Sequence, residues 1–167
     1  MNQQTLEADA PALSDRFTIE PWYHVDFGLA FRDQSLADLH RLWQQKCRAG
    51  RLPARKDFDF AELKPFFGRV FICQVNEERT DLTFSLIGTE IVDHMGADST
   101  RKTVSQVMGR DVLRLDLHLL AYPRAVREYG FVGWRERERE HKPFETVVLP
   151  LADDGVTVDR LFGSIIM

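Results

Sequence analysis

The chain has 167 residues, with 22 basic and 26 acidic side chains and a formal net charge of -4. That length suits one domain with a substantial core, and the charge balance excludes a broad nucleic-acid surface, which needs clustered positive charge. No run approaches the roughly 18 apolar residues that span a bilayer, and the segment Met1 to Pro11 has neither a basic start nor an apolar centre. A cytoplasmic chain without a membrane span is the expectation.

Residues 1–33 read as an N-terminal arm, partly flexible, and residues 34–167 as the domain. Within the arm, Phe17, Ile19, Trp22, Tyr23, Val25, Phe27, Leu29 and Phe31 lie in a segment that largely alternates apolar and polar residues. Such alternation predicts extended chain on a surface, either that of its own domain or that of a second subunit. A helix follows, with Ser35 as N-cap and Asp38 three residues on. Leu36, Leu39, Leu42, Trp43 and Cys47 fall on one helical stripe, and Gly50 and Pro53 end it. A second, short helix is predicted over 60–67, capped by Asp59 and stopped by Gly68.

The period then changes. Val70 to Val75 and Leu82 to Ile87 read as a hairpin around a polar turn. Short helical pieces with breaks at Gly96 and Gly109 occupy 89–108. A helix is predicted over 112–129, with Pro123 kinking or splitting it. Three strands are predicted over 131–139, 144–151 and 156–166. Ala152-Asp153-Asp154-Gly155 marks a hairpin, since Asp-Gly tolerates positive φ. The pattern predicts an α+β domain: one antiparallel sheet with helices on one face.

Three groups of residues, in order, resemble a family. The first is Leu39, Trp43, Gly50, Leu52, Pro53, Arg55 and Asp57. The second is Phe84 to Leu86, then Gly88 and Thr89, with Gly96 after a short helix. The third is Leu149, Pro150, Leu151, Asp154, Gly155, Val158 and Asp159. From Leu36 onward the chain resembles the bacterial stand-alone PAS-like domain proteins. It departs from their pattern at Asp59-Phe60, where an Asp-Pro is usual, and at Thr100-Arg101, where a Thr-Gly is frequent. The resemblance implies a five-stranded antiparallel sheet with helices over one face, preceded by an N-terminal helix. It also implies a sensory or regulatory role through a small molecule, a dimer or an output partner. The motif residues Trp43, Gly50, Pro53, Arg55, Asp57, Gly88, Thr89, Pro150, Asp154, Gly155 and Asp159 are expected to be structural.

Candidate chemistry is sparse. The histidines are His24, His40, His94, His118 and His141, and none forms an HExxH-like pair. His118 lies on the helix from which some PAS domains ligate haem, and a solvated helix histidine is the simpler reading. His94 borders the expected pocket. Cys47 and Cys73 have no partner at metal-ligand spacing and read as free thiols. No nucleophile motif or phosphate-cradling loop occurs. The alternating run Arg135 to Glu140 places charge on both faces of a strand and reads as a solvated end. Trp43 and Trp134 read as anchors onto the sheet. The apolar positions Phe71, Cys73, Phe84, Leu86, Val147, Leu149, Leu161 and Phe162 read most simply as a filled core; a ligand pocket, if present, is expected from Phe71, Phe84, Leu86, His94, His118, Tyr122, Val147, Leu149 and Phe162.

Three functions follow. The first is a non-catalytic sensor that binds a small molecule and signals through a separate protein. The second is a constitutive dimerisation or interaction module without ligand. The third, a small α+β enzyme, has no identifiable acid–base pair in its favour and would need two ionisable residues inside one cavity. The sequence requires no cofactor and no metal, and it leaves the ligand, the signalling partner and the homodimer as expectations.

Overall fold

The computed structural model describes residues 16–20, 22–132 and 142–167. The strand Lys142–Leu151 decides the architecture, because it is buried at every position from Phe144 to Leu151. A strand buried on both faces must be central, with cover on both sides. Among the described residues it belongs to one antiparallel sheet of seven strands: β1 (Arg16–Glu20), β2 (Tyr23–Asp26), β3 (Val70–Val75), β4 (Leu82–Ile87), β5 (Val126–Val132), β6 (Lys142–Leu151) and β7 (Arg160–Ile166). Their spatial order is β1-β2-β5-β6-β7-β3-β4. Helices α1 (Gln34–Lys46), α2 (Phe60–Leu63), α3 (Thr89–Met95), α4 (Val104–Val107) and α5 (Arg110–Ala121) cover it.

Side chains alternate across the sheet, and two cores result. Leu36, Leu39 and Trp43 of α1 join Leu63, Val70, Ile72, Val147, Leu149 and Phe162 on one face. Val104, Val112, Leu115 and Leu119 of α4 and α5 join Val25, Cys73, Val126, Phe144, Val148 and Leu161 on the other.

Several expectations are corrected. The sheet has seven strands, because the aromatic N-terminal segment adds β1 and β2 beside β5. The N-terminal part is therefore strands, with α1 after them. Phe17 and Ile19 pack against the α5-side core, and Leu29 and Phe31 against the α1-side core. Helices cover both faces, since β6 and β7 are apolar at both parities. The first helix is capped by Asp33, whose carboxylate accepts from the amides of Ser35 at 2.8 Å and Leu36 at 3.3 Å. The short second helix becomes α2 followed by a 3-10 turn at Lys64–Phe66, where Pro65 removes an amide donor.

The helix predicted over 112–129 ends at Ala121, ahead of Pro123, and Val126 to Tyr129 belong to β5. Proline forced a full break there, and the following Val, Tyr, Phe and Val suit a pleated surface. The final strand begins at Arg160 rather than Val156, because Asp154 Oδ1 accepts from the amides of Val156 and Thr157 and holds them in a turn. Trp134, His141 and the run Arg135 to Glu140 lie outside the described residues.

A buried ionic cluster ties the N-terminal strands to the sheet on the α1 side. Arg127 of β5 reaches Asp26 of β2 at 3.2 Å and Glu145 of β6 at 2.5 Å. Glu145 also accepts from the amides of Arg32 and Asp33, and Asp26 from those of Gly28 and Ala30. These bonds satisfy the lone pairs that burial of two carboxylates would otherwise strand.

Candidate ligand-binding cavity

The α5-side core is incompletely filled. A cavity of about 920 Å3 lies between the sheet and α3, α4 and α5. The sheet contributes Tyr23, Phe71, Cys73, Phe84, Glu128, Phe144 and Thr146, and the helices contribute Ile91, Met95, Val104, Met108, Val112 and Asp116. Its size falls in the range typical of small-molecule sites, and so does its mostly apolar lining with few polar groups.

Two carboxyls enter it from opposite walls. Glu128 is 4% exposed and Asp116 is 7% exposed. The Tyr23 hydroxyl donates to Glu128 Oε2, while Glu128 Oε1 is buried without a hydrogen-bond partner. Burial pushes the Glu128 carboxyl up to about 7, against a lowering by the Tyr23 hydrogen bond. Burial raises Asp116 well above the usual carboxylate range, with the negative charges of Glu128 and Asp81 adding to it. Burial likewise raises the Tyr23 hydroxyl and the Cys73 thiol, and in both cases the charges of Glu128 and Asp116 add. Low dielectric without a cation disfavours two negative charges in one cavity.

The expected pocket residues divide. Phe71 and Phe84 line the cavity. Leu86 does not: the register shift at Ile72/Cys73 pairs Leu86 with Ile72 and Phe84 with Cys73, leaving Ser85 as the extra residue. That bulge turns Leu86 to the other face, where it is 40% exposed. Val147, Leu149 and Phe162 also belong to the other face, in the core under α1. His94 is half-buried on α3 and lines neither cavity, where its neighbours Ile91 and Met95 face the large one. His118 faces a smaller cleft with Phe17, Thr18 and Arg114, and its ring lies 4.9 Å from that of Tyr122. His24 stacks on Tyr129 and His40 on Trp43.

Asp116 and Glu128 were missed. Asp116 lies four residues after Val112 on the apolar stripe of α5, and a carboxylate on such a stripe is the signal that marks it. Glu128 shares strand parity with Val126, but only once 126–132 is read as a strand.

A family model for the PAS domain matches residues 31–166. The chain belongs to the PAS domain family. A solved structure, the PAS domain of BvgS from Bordetella pertussis, is similar with a TM-score of 0.40 and 13% identity, covering 78% of this chain and 85% of that one. No curated protein matches the chain.

Several motif residues of this PAS domain form a latch away from the cavity. Trp43 Nε1 donates to the carbonyl of Pro150 at 2.9 Å. The loop after α1 is clipped to the β6–β7 connection by Leu52 N to Gly155 O at 2.9 Å and Ala152 N to Pro53 O at 3.0 Å. Asp57 Oδ2 accepts from the amide of Ala54 just before the 3-10 turn at Arg55–Asp57. Gly88 caps α3, with Thr89 as its first residue. A side chain at Gly88 would place Cβ 2.3 Å from the carbonyl oxygen of Gly68, so only glycine allows that approach. Asp154 holds the turn, and Asp159 pairs with Arg160 at 2.7 Å. Gly50 takes a positive φ of 73° after α1.

The departure at Thr100-Arg101 has a structural counterpart. Arg101 sits at φ 73°, a conformation that glycine takes without strain. Its amide donates to Phe84 O at 2.8 Å, and Phe84 N donates to Lys102 O at 3.0 Å, so this loop covers the free edge of β4. Among the described residues, no helix is long and apolar enough to cross a membrane, and no three His, Cys, Asp or Glu side chains could hold a metal ion.

Proposed function

We propose that this PAS domain is a sensory or regulatory module that binds a small organic molecule inside the sheet–helix cavity and does no chemistry on it. The observation that carries the reading is the cavity itself, with the unpartnered oxygen of Glu128 in its wall. A buried acceptor without a donor costs about 1–3 kcal/mol, and a ligand that supplies the donor recovers this. The helices over the cavity are short. α3 has 7 residues and α4 has 4, so small shifts among them carry occupancy to a changed surface in this reading.

In this reading the domain works as a homodimer and hands its state to a separate signalling protein. The exposed rings of Phe60 and Phe67, with centroids 4.7 Å apart, offer an apolar contact for such a partner. Native mass spectrometry of protein purified without added ligand, compared with the denatured sample, tests both points. A non-covalent mass lost on denaturation supports the sensor. A dimer with no added mass that also binds nothing offered to it supports a constitutive interaction module instead.

A second reading as an enzyme draws on the same two carboxyls, since a raised pair in one cavity suits general acid–base work. Incubating the released molecule with fresh protein separates the two: a sensor returns it unchanged.

A further inference from the structure

Asp116 and Glu128 bring two acidic groups into an apolar cavity, and the cations nearby are on its outside. Arg110, the cavity's one basic lining residue among those described, is exposed. Arg114 pairs with Asp111 at 3.6 Å, also at the surface. Neither side chain compensates the buried pair. The hydrogen bonding is lopsided too. Glu128 Oε2 accepts from Tyr23, Oε1 has no partner, and among the described residues no hydrogen bond or ion pair holds the Asp116 carboxyl. The unmet demand is for donors and positive charge. The rings of Phe71, Phe84 and Phe144 add faces that attract a cation.

We propose that the cavity binds an organic monocation with an aromatic body, its ammonium group seated between Asp116 and Glu128 and its ring among Phe71, Phe84 and Phe144. This rests on the ligand-binding reading above and adds the ligand's chemical class. An ammonium brings three N–H donors and no acceptor, which suits Glu128 Oε1 and the Asp116 carboxyl together. One positive charge and one retained proton bring the two carboxyls to neutrality. An anionic ligand would add negative charge to a pair that has no cation beside it.

Other groups facing the pair do not supply that charge. Tyr23 from β2 and Cys73 from β3 are neutral, with proton affinities raised by burial first and then by the pair. Asp81, ahead of β4, is another acidic residue and accepts from the Ser105 amide and hydroxyl. At the start of α5, Asp111 and Arg110 are exposed. Binding the monocation therefore displaces one proton from the Asp116–Glu128 pair. With Glu128 near 7 in the free protein, affinity rises with pH, by about tenfold between pH 6 and 8. A neutral ligand that accepts a hydrogen bond from a protonated carboxyl shows the opposite trend.

Isothermal titration calorimetry with tryptamine, its alcohol counterpart tryptophol and the anion indolepropionate tests this. Tryptamine is expected to bind about tenfold more tightly than tryptophol at pH 8, and indolepropionate not at all. The tryptamine affinity is expected to rise from pH 6 to 8, with buffer-dependent heats reporting the released proton. Glu128→Gln and Asp116→Asn should each reduce the preference for amine over alcohol. The pH series on the unmodified protein stands even if a variant fails to fold. Tryptophol or indolepropionate binding as tightly as tryptamine, or a tryptamine affinity that is flat or falls with pH, overturns the charge assignment and leaves the sensor reading intact. Failure of all three probes to bind overturns the assignment; if native mass spectrometry also finds no bound molecule, the sensor reading falls with it.

Discussion

Arg127 and Glu128 are neighbours in β5 and point to opposite faces of the sheet. Arg127 donates to Glu145 at 2.5 Å and reaches Asp26 at 3.2 Å, whereas Glu128 meets the Tyr23 hydroxyl and keeps one oxygen unpartnered in the cavity wall. One charge is compensated as part of the scaffold. The other has no cation beside it.

Stability should therefore depend on pH through Glu128. Its carboxyl is raised from 4.5 to about 7 on folding, so the folded state binds more protons than the unfolded state between those values. Stability is highest, for this group, below the unfolded value and is lost as pH rises through 7. The full effect is about 3 kcal/mol. Glu128→Gln should leave stability near pH 4.5 little changed and raise it at pH 8, as urea unfolding across that range would show. A variant that is less stable at pH 8 would mean that the carboxylate is compensated.

Breaking the opposite cluster should be costly at every pH near neutrality. Arg127→Ala leaves Glu145 buried without a cation and Asp26 with only the largely exposed Arg16 guanidinium, and is expected to cost about 3–5 kcal/mol. The readout is the urea midpoint, and loss of β2 pairing should appear as faster hydrogen exchange at Tyr23 to Asp26, the residues paired with β5.

Trp43 is 8% exposed and packs under the sheet while its indole N–H holds the Pro150 carbonyl. Trp43→Ala should cost about 3–5 kcal/mol as a large core truncation. Trp43→Phe keeps most of the packing but leaves a buried carbonyl unpaired, for about 1–3 kcal/mol. Equal losses in the two variants would assign the whole effect to the hydrogen bond.

Arg101 occupies left-handed backbone at φ 73°, which costs a non-glycine residue about 1–2 kcal/mol. Arg101→Gly should be neutral or stabilising by up to about 1 kcal/mol, after the extra chain entropy of glycine is set against the relieved strain. A clear loss in thermal unfolding would show that the arginine side chain makes a contact worth more than the strain.

Local chemistry was enough for much of this chain. The stripe Leu36, Leu39, Trp43 places α1, and β-rich runs flanked by turn residues place β3 and β4 at their observed bounds. The three motif groups point to the PAS family because they are short-range turn, cap and anchor signals. Those signals were silent on the cavity. The bulge at Ser85 arises from pairing with β3, and it alone decides that Phe84 faces inward and Leu86 outward. The two-sided burial of β6 depends on α1 and α5 packing from opposite directions, so Val147, Leu149 and Phe162 could not be separated from Phe144 and Val148 by composition. Asp116 and Glu128 are brought together only when α5 folds over β5. Side-chain type and period are properties of a segment, and the sequence carries them. Which segments face each other, and what charge then goes uncompensated between them, is a property of the packed layers.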